Sequence, residues 1–457
     1  MTARSSTTRS PSRAKSAVAL KVKFSSTPDL SQYKIALVCD WLTNVGGAEK
    51  VLLSIHQLFP DAPIYTSQYN PKGIDWFKDA DVRTGWLKIF PSKLRRILSP
   101  LRQRYFSHLD LSEYDIIISV TGAEAKSVKF RPDAKHFCYC HAPTQYYWQM
   151  YDDYVKNPGF GPFNFLVRPL FKLLVGKLRR ADYAAAQLPS DFITISQYSA
   201  DQIKKYYHRD STIIPPPVAV ENFAQIVEKS AKPVEKPVEN SRKTDLEQSP
   251  ASDHVRSRAP AHSICSQASS PAPIQLPNRY FLNFSRQVSW KRLDLAIKAC
   301  QKTKTHLVLV GDGPEHSSLI KLAQASTVAD DACASADGHI FFLPAAKQSQ
   351  LKQYLRNADA FIFPSLEPFG IAPVEALSAG VPVIAYAEGG ARDYIKDGKN
   401  GLLFQKQTVS SLASALEKFQ NLPSSSFSPR QISQSAAYYS ETRFQTEIEE
   451  FINAKIH

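Results

Sequence analysis

The sequence predicts an α/β chain made of two domains, each with a doubly wound parallel sheet, that face each other across a crevice. Three observations support this prediction. Short apolar runs that end at polar or glycine-containing loops recur along the chain, segments with helical spacing of apolar residues separate them, and a proline-rich segment divides the series in two. Strands that alternate with helices in this way form parallel sheets covered on both faces. At 457 residues with 43% hydrophobic residues, the chain can bury the cores of two domains.

The first series of elements is predicted in residues 31–222. Its first apolar run, YKIALVCDW, is typical of a buried parallel strand. A glycine pair, Gly46 and Gly47, then precedes a segment with helical periodicity that Pro60 stops. Further strands are predicted in APIYTSQY, YDIIISV, HFCYCHA and DFITISQYS. The series ends at three consecutive prolines, residues 215–217, which cannot continue a helix or a central strand and are expected to form a stiff hinge.

Residues 223–277 are predicted to be a disordered linker. From residue 225 onwards this segment contains seven prolines but no glycine and no aromatic residue. Such a composition cannot offset the entropy that ordering would cost. The second domain is predicted over residues 278–440, with strands in RYFLNF, THLVLVGDG, GHIFFLP, AFIFPS and VPVIAYA. Residues 441–457 are predicted to form a C-terminal helix that packs back on the N-terminal domain.

The formal net charge of +14 is unevenly distributed. Residues 1–30 are predicted to be a disordered basic tail. Residues 1–25, with six cations and no acid, also fit an organelle transit peptide, but disorder is the commoner fate of such a composition. Two further segments, 91–106 and 163–180, mix cations with large apolar residues. This mixture is typical of membrane-surface contacts, and an ordinary solvated helix face fits it equally well. No motif of a nucleic-acid-binding domain is recognisable, so a nucleic-acid partner is not expected.

The six cysteines are scattered and form neither a zinc knuckle nor a CxxC pair. This pattern favours a reducing compartment. No apolar run reaches the roughly 18 residues that a membrane-spanning helix needs. We therefore expect a cytoplasmic protein, peripheral at the inner face of the membrane if the two basic segments bind there.

Two glutamates, Glu367 and Glu375, flank a turn in the segment FPSLEPFGIAPVEALSAGVPVIAY. Pro368 keeps Glu367 out of helical geometry, which assigns it to the loop after a strand. A helix is predicted to begin at about Ile371, with Glu375 in its second turn. The N–H groups of residues 370–373 would then form an anion site between two carboxylates. This layout suits a pyrophosphate that is joined to a sugar at one end and to a ribose at the other.

The spacing of Glu367 and Glu375 resembles the signature of family 4 retaining glycosyltransferases, which have the GT-B fold of two Rossmann-like domains. Six further stretches occur in the order that this family shows, over most of residues 34–445 outside the linker. They are GGAEKVL, CHAPTQYYW, ISQYSADQIKKYY, IPPPV, SRQVSWKRLDLAI and VGDGP. The resemblance is closest to the branch that adds mannose and related sugars to lipid-linked O-antigen or exopolysaccharide precursors.

The resemblance implies a role for each matching residue. Arg286 and Lys291 resemble the basic pair that clamps the donor diphosphate, and two cations there would neutralise the charge of the departing nucleoside diphosphate. Arg292 is the weaker candidate beside them. Glu375 resembles the residue that binds the ribose hydroxyls. Glu367 resembles the glutamate near the donor sugar, which we assign to sugar positioning and charge stabilisation.

The remaining candidates lie in loops. Gly46 and Gly47 resemble the N-terminal loop near the phosphates and the acceptor, His141 resembles the histidine that contacts the transferred sugar, and Gly311 belongs to a tight turn near the base. The other predicted donor contacts follow Glu367 in the sequence: Phe369, Gly370 and Ile371. The aromatic run 146–148 fits either stacking on an acceptor sugar or core packing. In one departure from the family, Ser285 stands where a glycine usually precedes the arginine.

The resemblance implies a retaining hexosyltransferase that uses neither a metal ion nor a cofactor. It would move a hexose, with mannose from GDP-mannose as the family's best candidate, to a lipid-linked or polysaccharide acceptor in cell-surface glycan synthesis. Three alternatives stay open, of which a nucleic-acid-binding protein would be revealed by salt-sensitive retention of RNA. A nucleotide-sugar epimerase of the same fold would convert the donor without an acceptor, and a catalytically silent sugar-binding protein would lack the Arg286–Lys291 pair.

Overall fold

The computed structural model describes residues 30–91, 98–156, 164–230, 276–325 and 339–456. Within them the N-terminal domain has a seven-stranded parallel sheet in the order β3-β2-β1-β4-β5-β6-β7. Its strands are β1 (Ile35–Cys39), β2 (Ile64–Thr66), β3 (Val82–Thr84), β4 (Ile116–Thr121), β5 (Lys135–Cys140), β6 (Asp191–Thr194) and β7 (Thr212–Ile213). The central strands β1 and β4 are buried along their whole length, as expected for strands covered on both faces.

Helices cover both faces of this sheet. They are α1 (Gly47–Leu58), α2 (Ser99–His108), α3 (Tyr151–Lys156), α4 (Asn164–Ala185), α5 (Gln197–Tyr207) and α6 (Val220–Ser230). Ser196 caps α5, since its side chain accepts a hydrogen bond from the N–H of Ser199. No helix in the described part of the chain is both long and apolar enough to cross a membrane.

The C-terminal domain has a six-stranded parallel sheet in the order β10-β9-β8-β11-β12-β13. Its strands are β8 (Tyr280–Phe284), β9 (Leu307–Val310), β10 (Ile340–Leu343), β11 (Ala358–Phe363), β12 (Val383–Tyr386) and β13 (Gly401–Phe404). Its helices are α7 (Leu293–Lys302), α8 (His316–Ala325), α9 (Gln348–Arg356), α10 (Ile371–Ser378), α11 (Ala391–Tyr394), α12 (Val409–Gln420), α13 (Pro429–Ala436) and α14 (Glu441–Ile456). The predicted fold class of two doubly wound α/β domains is confirmed.

The sequence analysis did not predict three of the strands: β3, β7 and β13. Strand β3 is three residues long and β7 is two residues long, and β3 has no buried residue. Neither carries the continuous apolar run that identified the other strands. They are edge strands, with β3 and β7 at the two ends of the first sheet and β13 at one end of the second. Strands β3 and β7 need less apolar surface because one of their sides has no neighbour, whereas β13 is apolar and mostly buried.

Helices α6 and α14 connect the two domains. The predicted linker is wrong at its start, because α6 forms there and packs on α10 and α13 of the C-terminal domain. Its apolar residues Phe223 and Ile226 are buried in that contact, which offsets the entropy of ordering. The rest of the predicted linker, 231–275, lies outside the described residues, as does the basic tail 1–29. At the other end of the chain, α14 packs on α1, and Phe451 contacts the ring of Phe137 in β5.

The predicted basic surface at 91–106 needs a correction. Residues 92–97 lie outside the described residues, but Arg102 in α2 is buried, and its Nε donates to Glu124 Oε2 at 2.9 Å. A second buried pair joins Lys126 to Asp182 of α4, Nζ to Oδ1 2.7 Å. Arg102 is therefore a core ion pair and not a surface cation. The sequence could not show this, because buried and solvated arginines look alike until their partners are known.

Candidate active site

The two sheets point the carboxyl ends of their strands at one cleft. From the N-terminal domain come the loop after β1, which carries Gly46, and the end of β5, followed by His141. From the C-terminal domain come the loops after β8, β9 and β11. Open parallel sheets bind ligands at this edge. Every site residue predicted from the sequence lies on one of these five loops or on the helix that follows it.

The loop after β11 and the start of α10 are built around Gly370. This residue has φ +91°, and a Cβ here would lie 2.5 Å from Phe363 Cζ, so no other residue fits without rearrangement. The hydroxyl of Tyr394 donates to the carbonyl oxygen of Phe369 at 2.8 Å. The expectation of amide donors throughout 370–373 is wrong for Pro373, which has no N–H.

Phe369 lies in the core rather than in the cleft. Its side chain is buried and its ring packs against the rings of Tyr394 and Tyr439. A donor contact at this position would therefore involve its backbone. Ile371, the first residue of α10, is half-buried and faces Gly47 of the N-terminal domain, where a Cβ would lie 3.0 Å from Ile371 Cδ1.

Glu367 is held by two neighbours in the C-terminal domain. Lys291 Nζ lies 2.6 Å from Glu367 Oε1, and the hydroxyl of Ser365 donates to the same oxygen at 2.6 Å. Lys291 ends a short 3-10 turn, Ser289–Lys291, that follows β8. The structure thus brings together the lysine of the predicted diphosphate clamp and the glutamate predicted to lie near the donor sugar.

Glu375 is contacted from the opposite domain. Lys50 in the first turn of α1 places its Nζ 3.3 Å from Glu375 Oε1. The Glu375 side chain is 12% exposed and that of Lys50 is 35% exposed. An anionic carboxylate so little exposed needs a hydrogen-bonding partner, and the N-terminal domain supplies one.

Arg286 is exposed and lines an interdomain cavity of 1070 Å³. Arg292, the weaker candidate, is engaged elsewhere: its guanidinium bonds to Asp294 and to Gln407. Ser285, which replaces the family's glycine, donates its hydroxyl to Asn283 at 2.8 Å. Both arginines line the cavity, and the guanidinium of Arg292 is the one that is held by Asp294 and Gln407.

Gly311 packs the loop after β9 against the loop after β8. Its φ is +133°, and a Cβ would lie 2.2 Å from the carbonyl oxygen of Ser285. Glycine is therefore required here by the close approach of two backbones. The residue shapes the cleft wall beside Arg286, in keeping with the predicted tight turn.

His141 lines a second cavity of 530 Å³, most of whose lining belongs to the N-terminal domain, next to Asp40 and Glu49. Its Nε2 is buried and has no hydrogen-bond partner among the described residues. Burial lowers the pKa of His141 to about 4, so the imidazole is neutral near pH 7. A neutral imidazole with an open ring nitrogen can exchange a hydrogen bond with a hydroxyl group.

The three side chains of the aromatic run 146–148 have different surroundings: two pack in the core and one lines a cavity. Tyr147 is buried, and Trp148 donates its indole N–H to Asp182 at 2.7 Å and stacks on Tyr206. Tyr146 lines the cavity of His141. Core packing is therefore the role of Tyr147 and Trp148, and Tyr146 alone of the three faces the cavity.

Several cleft residues were not predicted from the sequence. Trp290 borders both cavities and is 37% exposed, while Trp41 and Tyr154 line the cavity of His141. Lys50 was missed although it stands in the GGAEKVL motif. The signal for Lys50 was its place one turn after a glycine pair, but its partner lies 325 residues away.

The arrangement of two parallel-sheet α/β domains matches the fold of GT-B glycosyltransferase structures. The fold matches HepE of Anabaena in complex with UDP at a TM-score of 0.57 with 16% identity, covering 92% of this chain and 100% of that one. It matches sucrose-phosphate synthase from Thermosynechococcus elongatus at a TM-score of 0.58 with 15% identity, covering 92% and 98%. At these identities the likeness concerns the fold.

The family model described as glycosyl transferases group 1 matches residues 268–437 of this chain. An uncharacterized glycosyltransferase of Bacillus subtilis (strain 168), YqgM, is 29% identical over 153 residues, 32% of this chain and 40% of that protein. The D-inositol 3-phosphate glycosyltransferase of Mycobacterium tuberculosis (strain CDC 1551 / Oshkosh) is 32% identical over 133 residues, 29% of this chain and 27% of that protein. The matches thus span less than half the length of these relatives.

Proposed function

We propose that this protein is a retaining, metal-independent hexosyltransferase that takes a sugar from a nucleotide-sugar donor. The observation that carries the proposal is the ion pair of Lys291 with Glu367 just before α10, the helix that contains Glu375, beside the cavity that Arg286 lines. This arrangement offers cations and backbone N–H groups to a diphosphate, with a carboxylate on either side for the ribose and the sugar.

In the proposed reaction the donor diphosphate binds at α10, with Arg286 and Lys291 as its cations. Negative charge builds on the diphosphate as the glycosidic bond breaks, and fixed cations stabilise that charge most in the transition state. Attack from the same face, with the leaving phosphate taking the acceptor's proton, retains the configuration. Glu367 positions the sugar, and His141 accepts or donates a hydrogen bond at one of its hydroxyls.

A panel of nucleotide sugars tests the donor site. The panel contains GDP-mannose, UDP-glucose, ADP-sugars and dTDP-sugars, all tested without metal. UDP-glucose is included because it is bound in one crystal structure of HepE. Thermal stabilisation by one series, lost in Glu375→Ala but kept in Glu417→Ala, is the expected result. Glu417 is an exposed residue of α12 and serves as the matched control. No stabilisation by any series, with or without acceptor, would refute the proposal.

The same panel distinguishes a transferase from an epimerase and from a catalytically silent sugar-binding protein. A transferase releases nucleoside diphosphate in proportion to glycosylated acceptor. An epimerase would interconvert the donor with no acceptor present, and a silent sugar-binding protein would bind donor without releasing diphosphate.

The lining of the cavity of His141 supports a neutral sugar, rather than a phosphorylated one, as the acceptor. Aromatic side chains, including Trp41, Tyr146 and Trp290, line it together with the carboxylates of Asp40 and Glu49. No lysine or arginine is among the described residues that line it. Aromatic faces stack on sugar rings, whereas a phosphate beside two carboxylates would lack a cation. A neutral glycoside should therefore serve as acceptor where its phosphorylated form does not.

Helix α4 supports a lipid-linked acceptor. Phe165, Leu170 and Leu173 are exposed by 56 to 77%, and the cations Arg168 and Lys172 are exposed beside them. Large apolar side chains among cations suit the surface of an anionic membrane. We expect Leu173→Glu with Lys172→Glu to abolish flotation with anionic vesicles, while Lys204→Glu on α5 does not. Unchanged flotation in the double variant would refute this contact.

A further inference from the structure

Lys50 is the residue through which the N-terminal domain contacts the signature glutamate. Its backbone N–H donates to the carbonyl oxygen of Gly46 at 3.2 Å, which places it in the first turn of α1. Its Nζ lies 3.3 Å from Glu375 Oε1, and this contact crosses the cleft. Neither the signature nor the resemblance gives this lysine a role.

The surroundings of Lys50 favour an anion. The start of α1 stands against the start of α10, since a Cβ on Gly47 would be 3.0 Å from Ile371 Cδ1. Both helices direct their N-termini, which carry partial positive charge, towards the cleft. A diphosphate bound at α10 would thus lie beside the first turn of α1, from which the side chain of Lys50 extends.

The pair between Lys50 and Glu375 suits exchange better than permanent structure. Lys50 is 35% exposed, so its ammonium, on a flexible four-carbon stem, can move. Glu375 is 12% exposed, so its carboxylate is held in place and needs a partner whether or not the cleft is filled. Ribose hydroxyls can replace the ammonium at Glu375, and the diphosphate is then the strongest acceptor within reach of Lys50.

We propose that Lys50 is a positioning residue of the donor site that changes partner: it holds Glu375 while the cleft is empty and moves to the donor diphosphate when the ribose takes Glu375. This inference rests on the proposed function, which places the ribose on Glu375. It adds a contribution of the N-terminal domain to donor binding, so that the diphosphate is bound from both domains.

The test compares a nucleoside with its diphosphate. Uridine, guanosine and adenosine are measured by ligand-observed NMR, and UDP, GDP and ADP by calorimetry, on the full chain and on Lys50→Met. The variant should bind the matching nucleoside a few-fold more tightly, because a competitor for Glu375 is gone. It should bind the diphosphate about tenfold more weakly, because a charge-assisted hydrogen bond is lost. Lys50→Arg should stay within about twofold of the unaltered protein for the diphosphate, because it keeps the charge.

The proposal predicts that Lys50→Met changes the nucleoside affinity and the diphosphate affinity in opposite directions, and this distinguishes it from the other roles of Lys50. If Lys50 only holds the domains together, Lys50→Met weakens nucleoside and diphosphate alike. If it only blocks Glu375, both bind more tightly. Either result, or no change in both, overturns the proposal. Lys204 on α5 forms an exposed ion pair with Asp210. Lys204→Met removes this pair and is the matched control, which is expected to change neither the nucleoside affinity nor the diphosphate affinity.

Failure of this inference can be told from failure of the proposed function. If the unaltered protein binds a nucleoside diphosphate and Glu375→Ala loses it, the proposed donor site stands whatever Lys50→Met does. If the unaltered protein binds none of the three diphosphates, the proposed function and this inference both fail.

Discussion

Lys291 and Glu367 form an ion pair at the edge of the cleft, with Nζ and Oε1 2.6 Å apart, and both side chains are at most 20% exposed. The pair joins the loop after β8 to the loop after β11. It holds the ammonium in position before any ligand binds. A cation that is already in place has little reorganisation left to undergo when charge develops on a leaving group.

Replacing Lys291 should therefore impair the reaction more than the fold. We expect Lys291→Met to lower kcat/KM about 100-fold, the usual cost of removing one fixed transition-state partner. Lys298→Met, an exposed lysine on α7, is the control and should leave kcat/KM unchanged. Steady-state kinetics with the donor from the panel measure both. A loss below threefold in Lys291→Met would contradict a role at the diphosphate.

Gly370 offers a second prediction, on stability. Gly370→Ala places a Cβ 2.5 Å from Phe363 Cζ at φ +91°, so steric overlap adds to backbone strain. We expect a loss of about 3 kcal/mol in the free energy of unfolding. The control is Gly398→Ala, at φ +74° with no atom within 4 Å, which should lose only about 1 kcal/mol from strain. Equal losses in urea unfolding would show that contact with Phe363 is unimportant.

The buried pair of Arg102 and Glu124 gives a third prediction. Their side chains are 2% and 0% exposed, so removing Glu124 leaves a guanidinium buried without its counter-charge. We expect Glu124→Ala to cost about 4 kcal/mol in the free energy of unfolding. Asp210→Ala breaks the exposed pair with Lys204 and should have no measurable effect. Comparable unfolding midpoints for the two variants would argue against a structural role of the buried pair.

The buried histidines give a prediction on pH. Burial lowers the pKa of His136 to about 3 and that of His141 to about 4, from 6.5 in the unfolded chain. Below pH 6.5 the unfolded chain therefore binds protons that the folded protein does not. The contribution of these two histidines to stability should be constant above pH 6.5 and fall as the pH drops towards 4, by up to about 1.4 kcal/mol per pH unit for each histidine.

Urea unfolding between pH 7.5 and 5 measures this slope. His141→Gln should show a shallower slope than the unaltered protein, because one of the two buried groups is gone. His208→Asn replaces an exposed histidine and should keep the original slope. An unchanged slope in His141→Gln would mean that folding does not lower the pKa of this imidazole.

The central strands could be recognised from the sequence because burial on both faces demands unbroken apolar runs. Residues 35–39 are such a run, residues 116–121 are one apart from Ser119 and Thr121, and each became a strand buried along its length. The turn of Glu367 could be placed for a similar reason, since proline and glycine restrict or extend backbone conformation locally. The short edge strand β3 and helix α6 could not be placed, because packing against distant elements stabilises them.

The sequence by itself determined the two-domain α/β fold, the position of the cleft and the loops that carry Arg286, Lys291, Glu367 and Glu375. These follow from local periodicity and from residue types whose conformational preferences act over a few positions. Only the tertiary structure decided which charges meet. Lys50 contacts Glu375 across 325 residues, and Arg102 is a buried partner rather than a surface cation. Ion pairs depend on distances in space, and sequence separation carries no information about those distances.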